Sequence, residues 1–193
     1  MATQKDRSEA TRRLILNTGQ DLFGAKGFDA TTIDDIAAQA GLAKGAIYHH
    51  YKNKRAIFQS VFEAVTAELA DELVGEIPPG DDMIAVLMGA TRSFFAACAQ
   101  PEVLRILHRD GPIVLGHAEW HRLDAQYFGG LVSATLEMAM ASGAIRQQPL
   151  GPLSRVILGA LQGAILDCAQ QTDYERAAAD YLVVFEGILE GLK

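Results

Sequence analysis

Apolar residues recur along most of this chain at intervals of three and four, the spacing that puts them on one side of an α-helix. Tyr127, Leu131, Ala134 and Met138 follow it, as do Tyr181, Leu182, Phe185, Ile188 and Leu192. No segment shows the strict alternation of a half-buried strand. Proline supplies the breaks, because it lacks a backbone donor and clashes with the preceding helical turn. Pro78-Pro79-Gly80, Pro101, Gly111-Pro112, Pro149 and Gly151-Pro152 all fall between periodic segments. The pattern predicts an all-α fold of about nine helices, over residues 8–25, 33–39, 44–50, 54–75, 82–99, 102–109, 118–142, 153–171 and 174–191. The gaps between the first three are too short for a flexible linker, so these helices are expected to form one compact unit.

The most informative stretch runs from Thr31 to Tyr51, TTIDDIAAQAGLAKGAIYHHY. Thr32 can cap a helix that starts at Ile33, and Asp35 completes a capping box in which Asp replaces the usual Glu. Ile33, Ile36 and Ala37 are expected to face inward. Ala37 is small where a second helix must cross, and Gly41 sits where the turn needs a positive φ. Leu42 then fills the core, and a helix of two turns follows, with Ile47 and Tyr51 as its buried i, i+4 pair. Lys44, Ala46, Tyr48, His49 and His50 are left on its other faces, a set able to enter a DNA major groove.

Beyond this helix, Asn53 can cap the next one, whose first turn holds Lys54 and Arg55. Positive charge at a helix N-terminus opposes the helix dipole, as does Lys44 at the start of its own helix, and both placements suit an anion such as a DNA phosphate. The overall charge of −7 argues against a nucleic-acid partner, but it is unevenly spread. Up to Arg55 there are 9 Lys and Arg against 6 Asp and Glu; the remainder holds 8 against 18. A small basic module joined to an acidic body fits this division. A helical hairpin with a solvated basic face is the plainer reading of the same residues.

Leu22-Phe23, Gly27, Thr31-Thr32, Ile36-Ala37, Ala40-Gly41, Gly45, Tyr48, His50-Tyr51 and Lys54 together resemble the signature of the tetracycline-repressor (TetR) family over residues 12 to 60. The resemblance implies a sequence-specific DNA-binding transcriptional repressor with its helix-turn-helix domain in residues 1–53. Lys44, Ala46, Tyr48 and His50 would approach bases or adjacent phosphates, with His49 beside them, while Thr32 and Lys54 clamp the backbone. Three positions depart from the pattern. Ala43 stands where a capping Ser is common, Ala46 offers only a methyl to a base, and Thr18-Gly19 replaces an Ala-Ala pair. A glycine inside a helix costs about 1 kcal/mol relative to alanine.

Residues 54–193 would then form a ligand-binding and dimerisation domain. A palindromic operator requires two recognition helices at fixed spacing, hence a homodimer. The last two helices are the candidates for its interface, through Gly159 and Gly163, one turn apart, and the apolar seam Leu182, Phe185 and Leu189; ordinary packing within the chain is the alternative. The resemblance also implies a cavity for a small, largely apolar effector that releases the DNA. Phe95, Trp120 and Tyr127 are candidate lining residues, with His108 and Asp167 as polar contacts, although a plain core would look the same.

Other chemistry is poorly represented. There is no Gly-rich phosphate loop, nucleophile elbow or legible carboxylate pair, so an enzyme is disfavoured and no cofactor is expected. His117 and His121 have chelating spacing but no third ligand, and no metal is expected. Cys98 and Cys168 are far apart in sequence and read as reduced packing residues. The first residues lack the apolar core of a secretory signal and no run is long enough to cross a bilayer, so a cytoplasmic protein without a membrane partner is expected. An activator or a ligand-independent regulator would satisfy the same sequence, which specifies neither operator nor effector.

Overall fold

The computed structural model describes residues 3–76 and 82–193. Among these residues there are nine helices and no strand: α1 Gln4–Lys26, α2 Ile33–Ala40, α3 Lys44–His50, α4 Lys54–Glu76, α5 Met83–Cys98, α6 Pro101–Leu115, α7 His117–Ala141, α8 Leu150–Cys168 and α9 Tyr174–Glu190. The all-α expectation holds, and several boundaries move. Helix α1 starts four residues early because Thr3 accepts from the Asp6 N–H while the Asp6 carboxylate accepts from Thr3, a capping box that the hydrophobic period does not reveal. The expected break at Gly111-Pro112 is absent. The chain is π-helical over Leu104–Asp110 and then α-helical from Gly111 to Leu115. Pro112 thus stands near the start of an α-helical turn, where a missing N–H costs little. Pro152 likewise lies in the first turn of α8, whose opening hydrogen bond runs from Leu153 N to Pro149 O. The Pro78-Pro79-Gly80 break lies outside the described residues.

Packing divides the chain into two units, and the division does not fall at residue 53. The first unit contains residues up to Val65 together with Pro101–Ala118; the second contains Thr66–Gln100 and Glu119–Lys193. Helix α4 begins at Lys54 and its first half, up to Val65, belongs to the first unit, and α6 returns to pack on α1.

The first unit is built around Ile15, Phe23, Ile36, Ile47, Ile57, Phe58 and Phe62, all essentially without solvent contact. Phe58 meets Phe23 and Phe28 edge-on, each at 5.2 Å between ring centroids. The helix-weakening Gly19 is explained here. A Cβ at this position would lie 3.2 Å from Ile57 and 3.3 Å from Val61, so the missing side chain lets α4 cross α1 closely. Three polar contacts fasten α6 to this unit: Asp110 accepts from Phe28 N at 2.7 Å, Arg105 donates to the Ala25 carbonyl, and Arg55 donates to the carbonyls of Val114 and Leu115 at 2.9 and 3.1 Å. His108 is buried beneath them, and burial lowers its pKa to about 4, so the ring is neutral in the fold.

The second unit packs α5, α7, α8, α9 and the end of α4. Trp120, Phe95, Leu123, Leu136, Ile165 and Phe185 fill its core. Tyr174 donates to the Phe95 carbonyl at 3.0 Å, and Arg146 closes the α7–α8 loop on the carbonyls of Gly191 and Leu192. Between α7 and α8 lie two polar pairs. Ser133 donates to Ser154 at 3.0 Å, and the Gln162 amide donates to the carboxylate of Asp124, a residue only 3% exposed.

Burial raises the pKa of Asp124 to about 6, against the opposing effect of the Gln162 hydrogen bond. The folded chain therefore binds this proton more tightly than the unfolded chain, and stability declines as pH rises from about 4 to 6. Asp124→Asn keeps the acceptor for Gln162 and removes the charge. Above pH 6 it is expected to stabilise the protein by on the order of 2 kcal/mol, with the gain vanishing near pH 4. Urea unfolding of both proteins across this range checks the sign and the window.

Candidate nucleic-acid interface

The turn between α2 and α3 forms as its residues dictate. Thr32 accepts from Asp35 N at 3.1 Å, and the Asp35 carboxylate accepts from Thr32 N at 2.9 Å, which lowers the Asp35 pKa. Gly41 adopts φ 64°, ψ 31°, and the following N–H of Leu42 returns to Ala37 O at 2.9 Å. Ile36, Ala37, Ile47 and Tyr51 are buried as expected, while Ile33 and Leu42 are half-buried. Helix α3 has no side-chain cap, since Ala43 cannot supply one. Its orientation comes from Ile47 and Tyr51, and Arg12 of α1 holds the Tyr51 hydroxyl at 3.3 Å.

The outer face of α3 carries Lys44, Gly45, Tyr48 and His49, all exposed, flanked by half-buried Ala46 and His50. Tyr48 is 49% exposed although it is a large aromatic, whereas Tyr51 one turn away is 6% exposed. Lys44 and Tyr48 share one side of the helix at i, i+4 spacing. The Lys44 ammonium sits 2.9 Å from Asp34 of α2. A solvent-exposed pair of this kind is worth about 0–1 kcal/mol, so a phosphate can displace it.

Lys54 is placed differently from the sequence reading. Its ammonium donates to Phe28 O at 2.7 Å and Thr31 O at 2.8 Å and lies 4.1 Å from the centroid of the Phe28 ring. Arg55 is engaged with the end of α6, and Asn53 caps α4 through a 2.8 Å bond from Ala56 N. In the chain on its own, both cations are held by backbone carbonyls rather than left extended toward solvent. They satisfy backbone carbonyls, and Lys54 ties the α1–α2 loop to α4. The sequence reading missed Arg12 and its neighbours. Arg12, Lys5, Gln4, Ser8 and Glu9 of α1 line an open surface hollow with His49 and His50. Its trace in the sequence is the polar side of α1, recurring at Gln4-Lys5, Ser8-Glu9 and Arg12, which becomes informative only once α3 is seen beside it.

The remaining candidates fall in two places. An apolar cavity in the second unit is lined by Leu73, Leu87, Ala90, Thr91, Phe94, Phe128, Leu131, Val132, Thr135, Ile157, Leu158 and Leu161. None of Phe95, His108, Trp120, Tyr127 and Asp167 is among its lining residues. Phe95 and Trp120 are core residues, His108 belongs to the first unit, and Asp167 accepts from Tyr181 at 3.0 Å on an exposed edge. Of the proposed dimer seam, Phe185 and Leu189 are buried within their own chain and Leu182 is half-buried; only Gly159 and Gly163 are exposed. The outward apolar residues of α8 and α9 are instead Val156, Val183, Val184 and Ile188. Among the described residues no His, Cys, Asp and Glu cluster could hold a metal ion, and no single helix is long and apolar enough to cross a membrane.

Comparison with known proteins agrees with this geometry. The family of bacterial regulatory proteins called the tetR family matches residues 15–61, and the tetracyclin repressor-like C-terminal domain matches residues 84–192. The HTH-type transcriptional regulator AcrR of Shigella flexneri is 33% identical over 86 residues, 41% of this chain and 38% of that protein. The HTH-type transcriptional repressor KstR2 of Mycolicibacterium smegmatis is 30% identical over 124 residues, 64% of this chain and 57% of that one. The chain thus spans less than two thirds of these curated relatives. A TetR-family transcriptional regulator from Pectobacterium atrosepticum superposes with a TM-score of 0.88 at 27% identity, covering 99% of this chain and 97% of the other. With a family domain matched across more than half its length and the helix-turn-helix geometry in place, the chain belongs to the TetR family of transcriptional regulators.

Proposed function

We propose that this regulator is a cytoplasmic homodimeric repressor that holds a palindromic operator through α3 of each protomer and releases it when a small, largely apolar molecule occupies the cavity of the second unit. The observation that carries the DNA-binding reading is the exposed Lys44 and Tyr48 face on a short helix held from behind by Ile47 and Tyr51. Tyr48 and His49 would meet base edges or sugars, Lys44 would exchange Asp34 for a phosphate, and Ala46 would offer a methyl to thymine. Thr32, exposed at the start of α2, would donate to the backbone, and His50 with Arg12 would follow the adjacent phosphates. Lys54 enters this reading as a positioning residue, because it holds the loop from which α2 begins.

Dimerisation is proposed through the outward face of α8 and α9. Val156, Gly159, Ala160 and Gly163 run along one helix and Val183, Val184, Gly187 and Ile188 along the other, all exposed. Small residues allow close helix approach, and the branched residues supply apolar area that water would otherwise cover. Effector binding would favour a spacing of the two recognition helices that no longer matches adjacent major-groove turns, and the difference in affinity between the two states does the switching.

Three variants separate the DNA roles in gel shifts on the region upstream of the gene. Lys44→Ala is expected to lower affinity and reduce the slope of log affinity against log salt by about 1. Tyr48→Ala should change preference among operator sequences while leaving that slope unchanged. Lys54→Met is expected to destabilise the first unit by about 1–3 kcal/mol, seen in urea unfolding, again with an unchanged salt slope. A Lys54→Met slope equal to that of Lys44→Ala would return Lys54 to the phosphate contacts. No binding to any palindrome at low salt would count against the repressor reading.

For the dimer, Val184→Glu changes a residue that is 57% exposed in the single chain. It is expected to leave the helical circular dichroism unchanged, to shift the mass measured by light scattering to that of one chain, and to abolish operator binding. A variant that remains dimeric would place the interface elsewhere.

A further inference from the structure

We infer that the effector of the second-unit cavity is an apolar molecule whose polar group donates hydrogen bonds, an amine or a hydroxyl, and that carboxylates and other anions are rejected. The inference rests on the reading of that cavity as the effector site. Its lining is aliphatic and aromatic except for Thr91 and Thr135. Both threonines have already spent their hydroxyl hydrogens: Thr91 donates to Leu87 O at 2.8 Å, and Thr135 to Leu131 O at 3.0 Å. What they can offer to a ligand is oxygen lone pairs.

The polar groups beside the lining have the same bias. Ser133 donates to Ser154, and Ser154 donates onward to Leu150 O at 2.8 Å, so both hydrogens of this pair are committed. On α8, Ser154 and Gln162 bracket the lining residues Ile157, Leu158 and Leu161; on α7, Asp124 lies one turn before Phe128. The Gln162 amide donates to the Asp124 carboxylate, whose charge repels an anion. No lysine, arginine or histidine is among the lining residues. An anion entering this space would lose its hydration without gaining a cation or an uncommitted donor from the lining residues, which is prohibitive in an apolar interior. A donor would instead find the two threonine oxygens of the lining and, for an ammonium group, the field of the buried Asp124 carboxylate one helical turn from the lining residue Phe128. Asp124 is ionised above its raised pKa of about 6, so it is available in that form near neutral pH.

Octylamine, 1-octanol and octanoate share one alkyl chain and differ in the head group, and calorimetric titration of the full chain with each near pH 8 tests the inference. Octylamine is expected to bind most tightly and octanol next, with octanoate weaker than the amine by about tenfold or more. Asp124→Asn should reduce octylamine to the affinity of octanol and leave octanol unchanged; if this variant fails to fold, the ranking in the native chain still decides. Octanoate binding as tightly as octylamine overturns the inference. Ala90→Leu, which fills the cavity, separates the two levels. If octanoate binds as tightly as octylamine and that binding is lost in this variant, the cavity is the site and its head-group preference is wrong. Octylamine binding that survives Ala90→Leu, or no binding of any of the three, overturns both the preference and the reading of the cavity.

Discussion

A helix of seven residues without a side-chain cap is unstable in water, so α3 has its shape only because other elements impose it. Ile47 and Tyr51 anchor it from behind, the left-handed Gly41 aims its start, and Arg12 fixes the Tyr51 hydroxyl. Behind these contacts stands the loop from Phe28 to Thr31, which Lys54 binds through two carbonyls and Asp110 through one N–H. A groove-reading surface needs its side chains held in place, and α3 borrows that rigidity from residues as far along the chain as Asp110. The Phe23, Phe28 and Phe58 cluster supplies the apolar floor for the same loop.

What could be seen in the sequence follows from the range of each interaction. The Thr32–Asp35 box, the Gly41 turn and the Ile47–Tyr51 pair are satisfied within a few residues, so spacing alone exposes them. Lys54 and Arg55 are not of this kind. They look like cations set against a helix dipole, but their carbonyl partners lie 23 to 60 residues away and have no local signature. Gly19 has the same character: its cost is local, while its cause, the crossing of α4, is not. Helix α9 misled for another reason. It is apolar on two sides, so periodicity finds stripes without telling which one the chain covers, and Phe185 and Leu189 turn inward while Val183 and Val184 turn out. The cavity was the least legible part. A lining of leucine, isoleucine and phenylalanine is indistinguishable in sequence from a filled core, and a lone Asp124 in α7 reads as a solvated carboxylate.

Both units hold charge in places where stability alone would not put it, and the two cases differ in kind. The Lys44–Asp34 pair is on the surface, weak and exchangeable; it keeps the lysine extended without consuming it. Asp124 is buried with one amide for company, and its ionised form burdens the fold. In the proposed DNA-binding reading Lys44 exchanges Asp34 for a phosphate, and a cation with that task is best held loosely. In the proposed effector reading, a dry carboxylate favours a ligand cation, because water would otherwise compete with it.

The π-helical segment of α6 adds a constraint on how such a chain can vary. A π turn carries one residue more than the α turn it replaces, so everything beyond it is rotated relative to an uninterrupted helix. Asp110 reaches Phe28 N, and the carbonyls of Val114 and Leu115 reach Arg55, only with that rotation in place. Losing a single residue between Leu104 and Asp110 would leave the helix intact, and more regular, yet swing these groups away by about a quarter turn. Here the chain tolerates changes of side chain more readily than changes of length: the segment is kept in phase, and a deletion too small to disturb its helicity would still unfasten it.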